Sequence, residues 1–317
     1  MKQFLSVHDV ANLEELLQAA LRYKADPFSS HSLGKQKRLG MVFLNPSLRT
    51  RISTQIAAKN LGLDPIVLNV GQDGWALEFE DEAIMNGSTV EHVKEAAAVL
   101  GTYFDLLGIR TFPSLANKEQ DYSEHYIKQF VKYAGVPVLS LESATLHPLQ
   151  TLADLITIQE VFKEKRKPKI VLSWAPHVKA LPQCVANSFA QWINQWGKSD
   201  FVITHPPGYE LHPQFTSGAT ITHHQDEALK DADFVYVKNW SSYTAYGKIL
   251  SNDERWMLTN KKMQATRHAK VMHCLPVRRN VELSSEVLDG PNCLVTQQAG
   301  NRVWAAQAVL SNFLKVV

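Results

Sequence analysis

At 317 residues the chain is too long for one ordinary hydrophobic core and predicts two domains of about 150 residues each. Its 45% apolar and 20% charged residues are typical of a soluble globular protein, and 33 Lys and Arg against 31 Asp and Glu leave too little net charge for a nucleic-acid-binding surface. The three cysteines are far apart and odd in number, which predicts free thiols in a reducing compartment. No signal peptide and no long apolar run are visible, so we expect a cytoplasmic protein without a membrane span.

Short β-rich runs alternate with helical patterns, which is typical of βαβ units on a parallel sheet. In the first half we predict strands at 38–44, 65–70, 105–110 and 136–141, with helices at 50–61, 90–100 and 122–133. A helix at 149–162 leads into the charged stretch 163–169, which is the expected hinge between domains.

The alternation continues in the second half of the chain. We predict strands at 170–174, 201–204, 234–238, 271–275 and 294–298, with helices at 182–192, 253–267 and 301–316. The expected fold class is α/β, with two doubly wound parallel-sheet domains at 1–149 and 150–299. The apolar stripe of the last helix predicts that 300–317 packs back on the first domain. In such folds ligands bind beyond the carboxyl ends of the strands.

The first polar cluster in such a position is the segment 45–51, between a predicted strand and a predicted helix. A helix start offers unpaired N–H groups and a positive dipole end, and Ser47, Arg49 and Thr50 add further donors for a phosphate. The alternative is a capping serine beside two solvated arginines. Its place directly after a strand favours phosphate binding.

Two further clusters follow strands. In His147-Pro148-Leu149-Gln150, the imidazole can donate to a carbonyl and the Gln amide can accept from an NH2 group, although a histidine before a helix is often only a cap. In His273-Cys274-Leu275-Pro276, the proline ends strand pairing and leaves main-chain carbonyls available to an amine. A nucleophilic Cys274 is the less favoured alternative.

Three single cations stand at strand ends or at a helix start, namely Arg110, Lys238 and Arg302. Each alone is more typical of a surface charge. Their positions become informative when they are taken together with the clusters.

Taken together, these motifs resemble the aspartate/ornithine carbamoyltransferase family over nearly the whole chain. Ser47–Arg51 is similar to the family's S-T-R-T-R motif, His147–Gln150 to H-P-x-Q, and the segment 273–276 to the H-C-L-P motif of ornithine-type members. The resemblance implies a catalytic trimer with active sites shared between subunits, and no cofactor or metal.

The resemblance also implies roles for individual residues. Carbamoyl phosphate would be bound by Ser47, Leu48, Arg49 and Thr50 at the phosphate, by Arg110, His147 and Arg302 at the carbonyl oxygen, and by Gln150 at the amino group. Cys274 and Leu275 would orient the attacking amine. Leu48 departs from the family threonine, which removes a hydroxyl and keeps the main-chain N–H.

The sequence most resembles the N-acylornithine branch of the family, through Gly74-Trp75, Trp174-Ala175-Pro176-His177 and the Lys238 segment. In that branch Trp75 would reach the neighbouring subunit's site, over carbamoyl phosphate. Glu142 and Lys238 would hold the amino-acid portion of the substrate, with His177 nearby. The branch also has a knotted second domain, here near 176–182.

The acyl group is expected to be succinyl, with acetyl as the alternative. The acetyl-type members carry a glutamate where this chain has Val90, and a carboxylate there would repel the second carboxylate of a succinyl group. Arg278 would supply the pairing cation. The alternative is that Val90 is only a residue at a helix start.

Three other functions fit the sequence less well. A non-catalytic carbamoyl phosphate binder would not need a carbonyl-polarising set of residues. A metal hydrolase using His205, His212, His223 and His224 lacks an evident acidic ligand. A putrescine carbamoyltransferase fits poorly with Glu142, Lys238 and Arg278, which together suggest a substrate with carboxylates.

Overall fold

The computed structural model describes residues 2–315, and its elements are numbered here in chain order. The strands are β1 (Gln3–Phe4), β2 (Arg38–Phe43), β3 (Asp64–Asn69), β4 (Leu77–Glu78), β5 (Glu91–His92), β6 (Leu106–Arg110), β7 (Val138–Glu142), β8 (Lys169–Trp174), β9 (Asp200–Thr204), β10 (Thr220–Thr222), β11 (Phe234–Lys238) and β12 (Lys270–Met272). The helices are α1 (Leu13–Ala25), α2 (Arg49–Asn60), α3 (Val93–Tyr103), α4 (Lys118–Tyr122), α5 (His125–Tyr133), α6 (Pro148–Val161), α7 (Cys184–Trp196), α8 (Pro213–Thr216), α9 (Gln225–Leu229), α10 (Asn260–Met263), α11 (Ser285–Leu288) and α12 (Val295–Leu314).

The chain divides into two units. The first comprises Met1–Ser114, Glu119–Leu149 and Arg302–Val317, and the second comprises Leu115–Lys118 and Gln150–Asn301. In the part of the chain that the structure describes, no helix is long and apolar enough to cross a membrane.

The first unit contains a five-stranded parallel sheet in the order β1-β7-β6-β2-β3 and a separate parallel pair, β4-β5. Its central strands are continuous apolar runs because both faces of the sheet are covered. Val42, Leu107 and Ile109 form its core together with Phe130 of α5. Because β2, β6 and β7 run parallel, the residues that follow their carboxyl ends lie at one edge of this sheet.

The second unit contains a five-stranded parallel sheet in the order β10-β9-β8-β11-β12. Its core includes Val171, Val235 and Val271 from three adjacent strands. Lys238 and His273, at the ends of β11 and β12, come to the same sheet edge, as do the residues that follow β9 and β10. Both sheets are parallel, as predicted.

Two predicted elements are wrong. The strand at 294–298 is instead the start of α12, because sheet pairing stops at an isolated bridge between Val271 and Cys293 and the N–H of Gln298 already bonds to the carbonyl of Leu294. The helix at 253–267 is only a 3-10 turn, Glu254–Trp256, followed by the short α10, because Thr259 caps a new helix start. The end of the predicted helix 301–316 lies outside the described residues.

Other boundaries differ from the predictions. The helix at 90–100 begins at Val93, after Val90 and the short β5. The helix at 122–133 is broken by Glu124, whose φ of 57° is left-handed. The patterns also missed β1, α1 and β10.

The segment 163–169 is not a hinge between the units, because it lies inside the second unit. Arg166 donates two hydrogen bonds to the carboxylate of Asp233, at 2.6 and 2.5 Å. The main-chain N–H of Lys169 donates to the same carboxylate. These bonds attach the charged stretch to Asp233, the residue directly before β11.

Candidate functional site

The start of α2 is the segment of the first unit that the sequence assigned to a phosphate. Leu48 occupies the position before the helix with helical backbone angles, and no side chain caps the first N–H groups. Leu48 is 69% exposed, so the residue that precedes the helix lies at the surface. Helix N–H groups without a side-chain cap, together with the helix dipole, are chemically suited to an anion such as a phosphate.

Two cations are placed beside that helix start. Arg302 of α12 donates from Nη2 to Oγ1 of Thr50 at 2.5 Å, and both residues are buried. The Nε of Arg49 is buried and has no hydrogen-bond partner among the described residues. Arg302 and Thr50 are thus in contact at this helix start, next to Arg49 in the chain. The sequence assigned Thr50 and Arg49 to the phosphate of carbamoyl phosphate and Arg302 to its carbonyl oxygen.

Arg110 and Glu142 form a buried ion pair. The guanidinium donates to Glu142 Oε2 from Nη2 at 2.6 Å and from Nε at 3.1 Å. Its Nη1 donates to the main-chain carbonyls of Asn45 and Pro46 at 3.0 and 2.7 Å. Arg110 therefore holds the loop that precedes α2. The sequence assigned the two residues to different ligands and did not predict their pairing.

His147 is buried next to this pair, with Nε2 3.7 Å from Glu142 Oε2. Burial is the main reason that the pKa of His147 is lowered to about 3; the charge of Glu142 opposes the shift, and the charges of Arg302 and Arg110 add to it. The imidazole is therefore neutral at physiological pH and can donate one hydrogen bond. Its Nδ1 has no partner among the residues described.

Glu124 positions the segment that leads to His147, and the sequence patterns missed it. Its carboxylate accepts from Ser143 Oγ at 2.7 Å, from the N–H groups of Ala144 and Thr145, and from Thr145 Oγ1. Burial raises the pKa of Glu124, although these bonds oppose the rise. No spacing rule links residues about twenty positions apart, so only the tertiary fold reveals this anchor.

In the second unit, the segment 273–276 forms a turn held by His273. The N–H of Leu275 donates to His273 Nδ1 at 2.9 Å, so Nε2 carries the proton and donates to Glu282 Oε1 at 3.2 Å. Leu275 has a left-handed φ of 58° and precedes a cis proline. Cys274 is 8% exposed.

Glu282 was also missed by the sequence, and it is the buried acid of this turn. Burial raises its pKa, but the bond from His273, the charge of Lys238 and the N–H of Arg278 outweigh burial and lower the pKa to about 2. Glu282 is therefore ionised. Lys238, only 8% exposed at the end of β11, lies in its field.

Arg278 and His177 are in contact although they are far apart in the sequence. Arg278 donates from Nε to His177 Nε2 at 3.1 Å. On the other side of the ring, His177 Nδ1 lies 2.9 Å from the carbonyl oxygen and 3.0 Å from the main-chain nitrogen of Lys179. Arg278 remains exposed. The structure therefore brings together the two residues that the sequence expected near the acyl-amino-acid part of a substrate.

Gln150 is fixed at the start of α6. Its Nε2 donates to Asp154 Oδ1 at 2.8 Å, and Gln298 donates to the same oxygen at 2.7 Å. All three side chains are buried. Because the NH2 end faces Asp154, the carbonyl end of Gln150 is directed away from that carboxylate.

Trp75 and Val90 lie on the surface of the first unit. Trp75 is 53% exposed and donates from Nε1 to Glu91 Oε2 at 2.8 Å. Val90 is 64% exposed, and its N–H bonds to the carbonyl of Ala76. Val90 is not part of a helix, so the interpretation of it as a helix-start residue is wrong.

The chain matches two family models of the aspartate/ornithine carbamoyltransferases: the carbamoyl-P binding domain at residues 2–160 and the Asp/Orn binding domain at residues 183–313. It is 47% identical to N-succinylornithine carbamoyltransferase of Bacteroides fragilis, over 99% of both chains. It is 35% identical to N-acetylornithine carbamoyltransferase of Xanthomonas axonopodis pv. citri, over 98% of this chain and 96% of the relative.

A solved structure is also similar to this chain over nearly its whole length. A mutant of N-acetyl-L-ornithine transcarbamylase, complexed with carbamyl phosphate and N-succinyl-L-norvaline, matches with a TM-score of 0.91 and 34% identity. The match covers 99% of this chain and 100% of that one.

Proposed function

The chain belongs to the aspartate/ornithine carbamoyltransferase family, and from that premise we propose that it transfers the carbamoyl group of carbamoyl phosphate to the side-chain amine of N-succinyl-L-ornithine. The products are N-succinyl-L-citrulline and phosphate, in arginine biosynthesis. The observation that carries the proposal is the set of Thr50, Arg302 and His147 beside the uncapped start of α2.

The phosphate of carbamoyl phosphate is assigned to the start of α2. Ser47 and Thr50 supply hydroxyl groups, Leu48 its main-chain N–H, and Arg49 a guanidinium. A dianion is stabilised there by the helix dipole and by charge-assisted hydrogen bonds.

The carbamoyl carbonyl is assigned to Arg302, Arg110 and His147, and its amino group to the carbonyl of Gln150. A neutral His147 polarises the oxygen by donating a hydrogen bond, and it does not act as an acid. Each well-aimed donor to the developing oxyanion contributes about 3–4 kcal/mol. Glu142 keeps the Arg110 guanidinium in place.

The nucleophile is a primary amine with an ordinary pKa near 10.4, so its neutral form costs about 4 kcal/mol at physiological pH. The carbonyls of Cys274 and Leu275 orient it. A C–N bond forms, the C–O bond to phosphate breaks, and the departing phosphate takes the proton. Holding the two substrates together contributes most, about 7–11 kcal/mol.

The amino-acid and acyl portions of the acceptor are assigned to Glu142, Lys238, His177 and Arg278, with Val90 permitting a second carboxylate. Mutants of N-acetyl-L-ornithine transcarbamylase with one glutamate replaced, by valine in one case, are solved with N-succinyl-L-norvaline. These complexes support the proposal that a succinyl group can bind when a residue without a carboxylate stands in place of the glutamate. The alternative acceptor is N-acetyl-L-ornithine, the substrate named for the relatives at 35% identity.

We further propose a cytoplasmic homotrimer in which Trp75 completes the site of the neighbouring subunit. Its half-exposed ring is available to a partner chain. No membrane or nucleic-acid partner is proposed.

A product assay tests the proposal against a non-catalytic carbamoyl phosphate binder. The protein is incubated with carbon-labelled carbamoyl phosphate, with and without N-succinyl-L-ornithine. We expect labelled succinylcitrulline and stoichiometric phosphate only when the acceptor is present. Tight binding of carbamoyl phosphate without any product would identify a binder and overturn the proposal.

A further inference from the structure

Two neighbouring strands of the second unit each end in a histidine. His205 follows β9 and His223 follows β10, and these strands are paired in parallel, so both rings come to the same sheet edge. Glu210 lies in the loop between them. One ligand atom from each of the three side chains lies within 4.8 Å of the other two, the only such group of three found among residues 2–315.

Hydrogen bonds fix both rings in the tautomer that leaves the lone pair of Nε2 available to a metal ion. His205 Nδ1 is 2.8 Å from the carbonyl of Pro206, and His223 Nδ1 is 2.9 Å from the carbonyl of His205. A carbonyl can only accept, so each Nδ1 carries the proton and each Nε2 keeps its lone pair. Metal-binding histidines are typically oriented by this bond from the other ring nitrogen.

The Nε2 of His205 is a buried acceptor. The residue is 0% exposed, and this nitrogen has no hydrogen-bond partner among the described residues. An unsatisfied buried acceptor is unfavourable in a folded protein, so a site that pairs it with a cation is favoured over one that leaves it alone. The Nε2 of His223 lies 3.8 Å from Glu210 Oε1, which places an acid at the same point.

We propose that His205, His223 and Glu210 bind one divalent transition-metal ion, for which Zn²⁺ is the best match. Two imidazoles and one carboxylate are a set of ligands that Zn²⁺ binds in proteins. Tetrahedral bonds of about 2.0–2.1 Å require ligand atoms about 3.3 Å apart, closer than the 4.8 Å within which the three atoms lie here. His223 and Glu210 have side chains 42% and 44% exposed, so they can close that gap. The ion would join the ends of β9 and β10.

This site is separate from the residues assigned to carbamoyl transfer, and it supplies the acidic ligand that the histidine spacing alone did not reveal. His212, which the sequence grouped with these histidines, is not among the three ligands. His224 is exposed, is next to His223 in the chain, and lies outside the cluster. It is therefore the matched control.

The test measures Zn²⁺ binding to the full chain after chelation and dialysis, by titration calorimetry and elemental analysis. We expect one Zn²⁺ per chain and a rise in thermal midpoint, with affinity reduced about tenfold or more by His223→Gln and by Glu210→Gln, and unchanged by His224→Gln. Both altered residues are partly exposed, and circular dichroism checks their folding.

Co²⁺ gives a second readout, because a tetrahedral site has intense visible absorption that hexa-aquo Co²⁺ lacks. We expect this spectrum in the wild type and in His224→Gln, and its loss in His223→Gln. No stoichiometric binding, or equal affinity losses in His223→Gln and His224→Gln, would mean an adventitious ion only and would overturn the proposal. Loss of carbamoyl transfer has no bearing on either readout.

Discussion

Arg49 is the cation that reaches the start of α2 without an intramolecular partner among the described residues for its buried Nε. Replacing it by alanine removes a charge-assisted contact to the phosphate. We expect Arg49→Ala to weaken carbamoyl phosphate binding by about 2–5 kcal/mol, more than about 30-fold.

Titration calorimetry measures that change. Lys59→Ala is the control, since Lys59 is an exposed cation in the last turn of the same helix. Equal affinity in Arg49→Ala and wild type would refute the assignment of the phosphate to this helix start.

In the proposed acceptor site, Val90 is the residue to which we assign the acyl specificity. A glutamate there would place a negative charge near the second carboxylate of a succinyl group. We expect Val90→Glu to shift the ratio of rates with succinylornithine and acetylornithine by about tenfold or more toward acetylornithine, which is about 1.4 kcal/mol.

Val90→Gln separates charge from size, because glutamine has nearly the shape of glutamate. It should leave the ratio close to the wild-type value. If Val90→Glu and Val90→Gln gave the same ratio, charge at this position would not set the specificity.

At the scale of elements, the turn after β12 depends on Glu282. The folded pKa of Glu282 is about 2 against an ordinary 4.5, so its ionised form stabilises the fold above pH 4.5, and this contribution is lost as pH falls toward 2. Glu282→Gln should lower the free energy of unfolding at pH 7 by about 1.5–3 kcal/mol, the range for a hydrogen bond to a charged group.

Urea unfolding at several pH values measures this effect. The difference between Glu282→Gln and wild type should shrink below pH 4.5, and the exposed Glu286→Gln should show little effect at any pH. A difference that stayed constant from pH 7 to pH 3 would contradict the role of the Glu282 charge.

The sequence predicted the elements that are marked by a continuous apolar run or a clear helical period. It failed where capping or tertiary contacts determine whether a helix or a strand forms. The central strands and α2 lie where the patterns placed them, because buried parallel strands are continuous apolar runs. The segments 253–267 and 294–298 were misassigned, since Thr259 starts a new helix and the sheet pairing ends at Cys293.

The same distinction applies to the site. Ser47–Thr50 were singled out because a motif and its position after a strand mark them. Arg302 was expected to open the last helix, but α12 begins at Val295 and Arg302 lies inside it. Glu282 and Glu124 were missed because their roles come from contacts that no local spacing encodes. The knot expected near residues 176–182 stays a prediction.

At the scale of the whole molecule, the proposed trimer shares its active sites between subunits. Each Trp75→Ala subunit keeps an intact phosphate site, and each Arg49→Ala subunit keeps an intact Trp75. Mixed trimers of the two inactive proteins should therefore contain some complete sites and regain part of the activity.

Steady-state assays after subunit exchange measure the recovery. The control mixes Arg49→Ala with His147→Asn. Both residues are assigned to the site of their own subunit, so every site in this mixture carries one altered residue and none becomes complete. Activity that stayed absent in the Trp75→Ala and Arg49→Ala mixture, with subunit exchange verified, would contradict a shared site.

The most direct measurement compares kcat/KM for ornithine, N-acetylornithine and N-succinylornithine at saturating carbamoyl phosphate. We expect the highest value for N-succinylornithine and the lowest for ornithine. The value for N-succinylornithine should exceed that for N-acetylornithine by about tenfold or more, equal to about 1.4 kcal/mol. Equal or higher values for ornithine, or no carbamoylated product from any of the three amines, would contradict the proposed function.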